Sequence, residues 1–199
     1  MALMPTVRAD LAKACRYEDG GRLRRIVVAL ASPGMQAVLA YRFGAWTLRQ
    51  PALIRPPLNV VYHLLHFTVR VLWGIEISRH ACIGPGLYIG HFGGITVSGD
   101  ATIGSNCNLS QSITIGVGGS GDTCDAPVIG DNVYIAPGAR VFGPIRIGHN
   151  VKIGANAVVY KDIPDGAVIA LDPGFCILSH KGNHRDGVEV VRSNKRRTA

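Results

Sequence analysis

The stretch IGPGLYIGHFGGITVSGDATIGSNCNLSQSITIG, Ile83–Gly116, and its continuation VIGDNVYIAPGARVFGPIRIGHNVKIGANAVV, Val128–Val159, decide the fold. An aliphatic residue returns every six positions, as Ile77, Ile83, Ile89 and Ile95, then Val97, Ile103, Leu109 and Ile115, then Ile129, Ile135, Val141, Ile147, Ile153 and Val159. Residues two before this beat are also mostly apolar: Ala81, Leu87, Ala101, Cys107, Val133, Ala139, Ile145, Val151 and Ala157. A period of six fits neither an amphipathic helix nor a heptad, and alternation broken by a regular turn describes short strands wound into a solenoid. The turns agree. Gly86, Asp100, Asn106, Asn132, Gly138, Asn150 and Asn156 stand three after the beat, and residues of these types accept a positive φ at the lowest cost.

Three hexads close one triangular coil, so about four coils stack, each burying its aliphatic beat against the next. The reading is a mainly β chain, a left-handed parallel β-helix, which is a known exception to right-handed crossovers. A short N-terminal α-helical region precedes it. The expected units are a helical cap over 1–74, the β-helix over 75–180 with an outer loop at 116–127, and a basic C-terminal tail over 181–199.

The net charge of +8 is unevenly placed. Residues 1–74 carry ten Lys/Arg against Asp10, Glu18 and Asp19, while 75–199 carry eleven against ten acids. No nucleic-acid recognition motif accompanies the basic half, so nucleic acid is not an expected partner; an anionic membrane surface or a solvated helix face suits it better. Five cysteines without CxxC or Cys/His metal spacing indicate a reducing compartment and no disulfide framework. Met1–Tyr17 alternates charges too often for a signal peptide, and a cytoplasmic protein is expected.

Helix is expected over 22–49, with a break at Ser32, Pro33 and Gly34, and again over Leu58–Trp73 after Pro56 and Pro57. The second segment contains His63, His66 and Arg70 and is too polar to span a bilayer. The pair is expected to cap the open end of the solenoid, and peripheral membrane contact is compatible with that role.

Two irregularities interrupt the hexads, and a defect in an otherwise regular scaffold is where function is expected. One is a two-residue slip after Gly90, His91, Phe92, Gly93 and Gly94, where Phe92 fills a small-residue turn position and His91 stands on a glycine-lined corner. The other is the excursion GVGGSGDTCDAP, Gly116–Pro127.

From Gly74 to Val168 the chain resembles the serine acetyltransferase branch of the hexapeptide-repeat acyltransferases. The resemblance rests on GIEIS (74–78), IGPGLYIGHFGGITV (83–97), QSITIGVGG (111–119), IGDNVYIAPGARVFGPIRIG (129–148) and VKIGANAVVYKDIP (151–164). It implies that His91 is the general base, that Glu76 orients it, and that acetyl-CoA lies along the solenoid between subunits of a homotrimer. It also places the cofactor beside Gly116, Gly118, Gly119, Ala136 and Ala155, with Lys161 able to meet phosphates, and the acceptor against Gly90, Phe92 and Gly93. Imidazole titrates near enough to pH 7 to take and return a hydroxyl proton, and a carboxylate on its second nitrogen would fix the tautomer.

Departures bear on the acceptor. The outer loop of serine acetyltransferases carries a histidine before a proline where Ala126 stands here, an Asp before the catalytic histidine is replaced by Gly90, and the helical N-terminal region is shorter. These losses favour a sugar hydroxyl of surface polysaccharide as acceptor, with serine the alternative. Two other classes fit the sequence less well: a zinc hydratase using His80, His91 and His149, whose spacing follows no ligand motif, and a silent trimeric scaffold. No metal is expected. Cys124 has Asp122 and Asp125 beside it, which disfavours a thiolate.

Overall fold

The computed structural model describes residues 3–118 and 125–171. Four α-helices, α1 (Leu3–Ala14), α2 (Arg22–Ala31), α3 (Pro33–Thr47) and α4 (Arg55–Trp73), precede fourteen strands of two or three residues each. All strand pairs are parallel and fall into three sheets, the three faces of a prism. Face one holds β1 (Ile75–Ile77), β4 (Ile95–Val97), β7 (Thr114–Gly116), β10 (Arg140–Phe142) and β13 (Val158–Val159). Face two holds β2 (Cys82–Ile83), β5 (Thr102–Ile103), β8 (Val128–Ile129) and β11 (Arg146–Ile147). Face three holds β3 (Tyr88–Ile89), β6 (Asn108–Leu109), β9 (Tyr134–Ile135), β12 (Lys152–Ile153) and β14 (Val168–Ile169). This is the expected left-handed β-helix of about four turns.

Every residue of the aliphatic beat is buried, and the residues two before it line the same core, Cys107 among them. Among the described residues five non-glycines take positive φ: Asn106, Asn132, Asn150 and Asn156, as expected, and Ser112, which the sequence does not flag. Asp100 does not; its turn closes through a hydrogen bond from Ala101 N–H to Ser98 O.

Strand register shows where coils depart from eighteen residues. Val97 lies opposite Ile115 and Ile135 opposite Ile153, a regular advance. Ile75 lies opposite Ile95 and Ile89 opposite Leu109, an advance of twenty, so the corner between β3 and β4 carries two extra residues. Ile103 lies opposite Ile129, an advance of twenty-six that puts eight extra residues between β7 and β8. A third defect was not expected: Ile147 pairs with Ile163, and Ile153 with Ile169, an advance of sixteen, so the corner at 160–162 has lost two residues. The second and third defects stack on the corner between faces one and two; the first lies between faces three and one.

The helices cap the solenoid through specific polar contacts. On the first coil, Tyr41 Oη donates to Ala81 O (2.7 Å) and accepts from Ile83 N–H (3.2 Å). Arg42 donates to Ile83 O (2.6 Å) and Gly84 O (2.7 Å). Asp10 on α1 accepts from Gly86 N–H (2.7 Å), Leu87 N–H (2.9 Å) and Arg42 Nε (2.8 Å). A sheet edge that would otherwise present unpaired backbone groups is thereby closed.

Helix α3 follows its expected break: Ser32 Oγ accepts from Met35 N–H (3.3 Å) with Pro33 behind it. Helix α4 starts three residues earlier than expected and takes Pro56 and Pro57 into its first turn, where no N–H is needed. Gly34 lets α3 touch the solenoid, since a Cβ there would stand 2.0 Å from the backbone oxygen of Ile89. Gly34→Ala is expected to cost about 1–3 kcal/mol through this overlap, read as a lower urea midpoint; an unchanged midpoint would show that α3 slides freely. No single described helix is long and apolar enough to cross a membrane; the pair α2 and α3 passes on composition together but bends by 73°.

Candidate active site

The two-residue insertion makes the corner that carries His91. Gly93 and Gly94 take φ values of +101° and +66°, and Gly93 O accepts from Ser112 N–H of the next coil (2.7 Å). A Cβ on Gly94 would lie 3.2 Å from Ser112 Cα, so the corner is held close to the coil above. Below, Gly74 ends α4 in a left-handed conformation, and a Cβ there would stand 3.2 Å from Gly94 N. Phe92 packs edge-on to Trp73, with ring centroids 5.4 Å apart. His91 itself is exposed and, among the described residues, makes no hydrogen bond or ion pair. An imidazole on a backbone fixed from both sides, with both ring nitrogens uncommitted, is free to work as a base or acid on a bound hydroxyl.

Glu76 projects outward from β1 on face one, opposite Thr96, one coil below the strand that the His91 corner enters. Its carboxylate lies 3.9 Å from the Arg70 guanidinium, both half exposed. The resemblance implies a Glu76–His91 pair; among the described residues no hydrogen bond or ion pair joins the two, and the charge partner of Glu76 is Arg70 on α4.

The expected cofactor residues line two edges of face one. Ala136 and Ala155 stand on the same corner as His91, in higher coils, the former buried and the latter exposed. Gly116 ends β7, and Gly118 N–H donates to Asp125 O (3.1 Å) across the base of the outer loop. Lys161 sits on the shortened corner, its ammonium 5.6 Å from the Tyr160 ring centroid. Gly119, Cys124 and the tail over 181–199 fall outside the described residues. Ala126 is buried against the solenoid core.

The three histidines of the hydratase reading are not brought together. His149 Nδ1 accepts from Asp131 N–H (3.0 Å) on a turn of face two, while His80 stands beside α4. Among the described residues no group of three His, Cys, Asp or Glu is placed to hold a metal.

Sequence reading missed a groove of about 620 Å³ between α4 and the first coil. From α4 it is lined by His63, His66 and Arg70, and from the coil by Glu76, Arg79 and His80. The signal was present in the spacing of three and four between His63, His66 and Arg70, which puts all three on one helix face.

The parallel prism, its glycine corner and its hexad core define a hexapeptide-repeat acyltransferase. The family model for the bacterial transferase hexapeptide (six repeats) matches residues 126–161. The serine acetyltransferase of Synechococcus elongatus is 35% identical over 188 residues, 94% of this chain and 72% of that protein. That of Mycobacterium tuberculosis is 33% identical over 175 residues, 88% of this chain and 73% of its own. The structure of soybean serine acetyltransferase complexed with serine superposes with a TM-score of 0.71 at 30% identity, covering 86% of this chain and 68% of that one.

The chain belongs to the serine acetyltransferase family and is an acyltransferase. The expected sugar acceptor is thereby corrected. That expectation rested on Ala126, Gly90 and a shortened N-terminal region, yet the relatives that match along 88–94% of the chain are serine acetyltransferases.

Proposed function

We propose that this protein transfers the acetyl group of acetyl-CoA to the hydroxyl of L-serine. The observation that carries the reading is the match to serine acetyltransferases along nearly the whole chain, including 94% of it against the Synechococcus protein, joined to an unengaged histidine on the inserted corner.

In this reading His91 removes the hydroxyl proton as the serine oxygen bonds to the thioester carbonyl carbon, and returns it to the departing thiolate sulfur as the carbon–sulfur bond breaks. Glu76 orients His91 and stabilises the imidazolium. Acetyl-CoA supplies the activated acyl group. Gly116 suits a long amide-rich arm because nothing crowds its backbone, a Cβ there meeting nothing closer than Thr114 Cγ2 at 3.7 Å, and Gly118 and Ala136 are assigned to the same arm. Lys161 is suited to the phosphates. Phe92 and Gly93 bound the acceptor side.

The working unit is a homotrimer with sites between subunits. Val60, Leu64, Phe67 and Val71 along α4 are each more than half exposed, apolar surface that assembly would cover. Initial rates of thiol release at several fixed L-serine concentrations test the direct transfer. Intersecting double-reciprocal lines are expected; parallel lines, or a rate independent of serine, would contradict it.

A further inference from the structure

No step of the transfer uses the basic N-terminal region. Of its three acids, Asp10 is buried against Arg42, which leaves Glu18 and Asp19 beside five exposed arginines between Arg8 and Arg25. Arg8 on α1 and Arg22 and Arg25 on α2 line one groove of about 530 Å³ together with Leu11 and Ile26, and no acidic side chain lines it. None of the three guanidinium groups has a hydrogen-bond or ion-pair partner among the described residues.

Helix α2, RLRRIVVALA, carries no acid, and only Ala29 is fully buried, against Ala14 and Met35. Leu23, Val27 and Leu30 follow one another at steps of four and three, so they form one stripe along the helix. They are 76%, 58% and 40% exposed. At 3.6 residues per turn, Arg22 and Arg24 stand about 100° to either side of that stripe. From there a long basic side chain reaches a polar boundary while the stripe lies in an apolar layer.

The exposed face of α4 has a different composition. Beyond Val60, Leu64, Phe67 and Val71 it continues sideways into Val61, Leu65 and Leu72 rather than into cations, as suits the charge-depleted centre of a protein–protein contact. An apolar stripe with a cation on each side, next to unpaired guanidinium groups, instead matches the layers of an anionic bilayer surface, with acyl chains beneath and phosphates above.

We propose that α2 is a peripheral membrane-binding helix: Leu23, Val27 and Leu30 enter the acyl boundary of an anionic bilayer, and Arg8, Arg22 and Arg25 take lipid phosphates in the groove beside them. The inference is independent of the acceptor reading.

The test is co-sedimentation of the full-length protein with vesicles of phosphatidylcholine alone and of phosphatidylcholine mixed with phosphatidylglycerol. Two variants accompany the wild type, one combining Arg8→Gln, Arg22→Gln and Arg25→Gln, the other Leu23→Gln and Val27→Gln. All five side chains are exposed, so both variants are expected to fold, with unchanged circular dichroism. The wild type should bind the mixed vesicles and not phosphatidylcholine, and should release as salt is raised. Loss of the three arginines is expected to weaken partitioning roughly 100-fold, and loss of the two apolar side chains about 10-fold.

No binding, equal binding to both vesicle types, or binding undiminished in either variant would overturn the proposal. Undiminished binding in both would move the contact to other cations, such as Lys195, Arg196 and Arg197. Release of the wild type by inorganic phosphate at the concentration of the lipid phosphate would make the groove a site for a soluble anion and overturn the membrane role. A wild type that ignores vesicles but elutes as a larger species than Leu23→Gln/Val27→Gln would make the stripe a contact between copies of this chain, and overturn it likewise.

Discussion

His91→Ala is expected to lower kcat for acetyl transfer at least ~100-fold while leaving the fold and acetyl-CoA affinity intact. The size follows from chemistry: a hydroxyl whose pKa lies far above neutrality attacks poorly unless its proton leaves during attack, and positioned proton transfer contributes about 10²–10⁴-fold. The expectation that stability is spared follows from structure. His91 is exposed and makes no hydrogen bond or ion pair among the described residues, and its corner is held by neighbours, through Gly93 O, the close approach of Gly74, and the Phe92–Trp73 contact. Steady-state rates with the thermal midpoint measured on the same preparation check both halves. A variant within threefold of wild type would move the base elsewhere.

The largest effect on stability is expected at Asp10. Its side chain is fully buried, and its oxygens accept hydrogen bonds from Arg42 Nε and Nη2 and from the backbone N–H groups of Gly86 and Leu87. Asp10→Ala strands a buried guanidinium and orphans two N–H groups at the lower edge of the solenoid. Breaking a buried pair from one side typically costs about 3–5 kcal/mol. Arg42 keeps its bonds to Ile83 O and Gly84 O, so the charge stays fixed in place without its counter-ion.

Asp10→Ala combined with Arg42→Met should therefore be less destabilised than the sum of the single variants, because the stranded charge is gone. Urea unfolding of the three variants reads this directly. A loss under about 1 kcal/mol for Asp10→Ala would mean that water reaches the site and replaces the carboxylate.

Much of this architecture is written in local periodicity. The beat from Ile77 to Val159 fixes which side chains point inward whatever the handedness or the coil length, and the slip between Ile95 and Val97 already marks the extra residues at the His91 corner. The defect at 160–162 is hidden in the sequence because the beat shortens there, from Val159 to Ile163 in four residues before Ile169 restores the step of six.

Helix α1 escaped for a different reason. LMPTVRADLAKA has a weak apolar stripe, and it is held in place instead by Asp10 reaching the first coil, a long-range contact that leaves no local pattern. The candidate base was legible because glycines flank it in sequence. Its surroundings were not: the pairing of Glu76 with Arg70 and the open groove depend on how α4 lies against β1, and a spacing of fifteen residues carries no information about that angle. The acceptor was misread for a related reason. Ala126 and Gly90 record which groups have been lost from two positions, and say nothing of what the rest of the chain supplies.

Incubating the protein with acetyl-CoA and L-serine and identifying the product by mass spectrometry tests the central claim most directly. The account predicts serine-dependent thiol release matched mole for mole by serine that has gained one acetyl group on its oxygen. Acetyl-CoA consumed at the same rate with and without serine, with serine recovered unmodified, would contradict it.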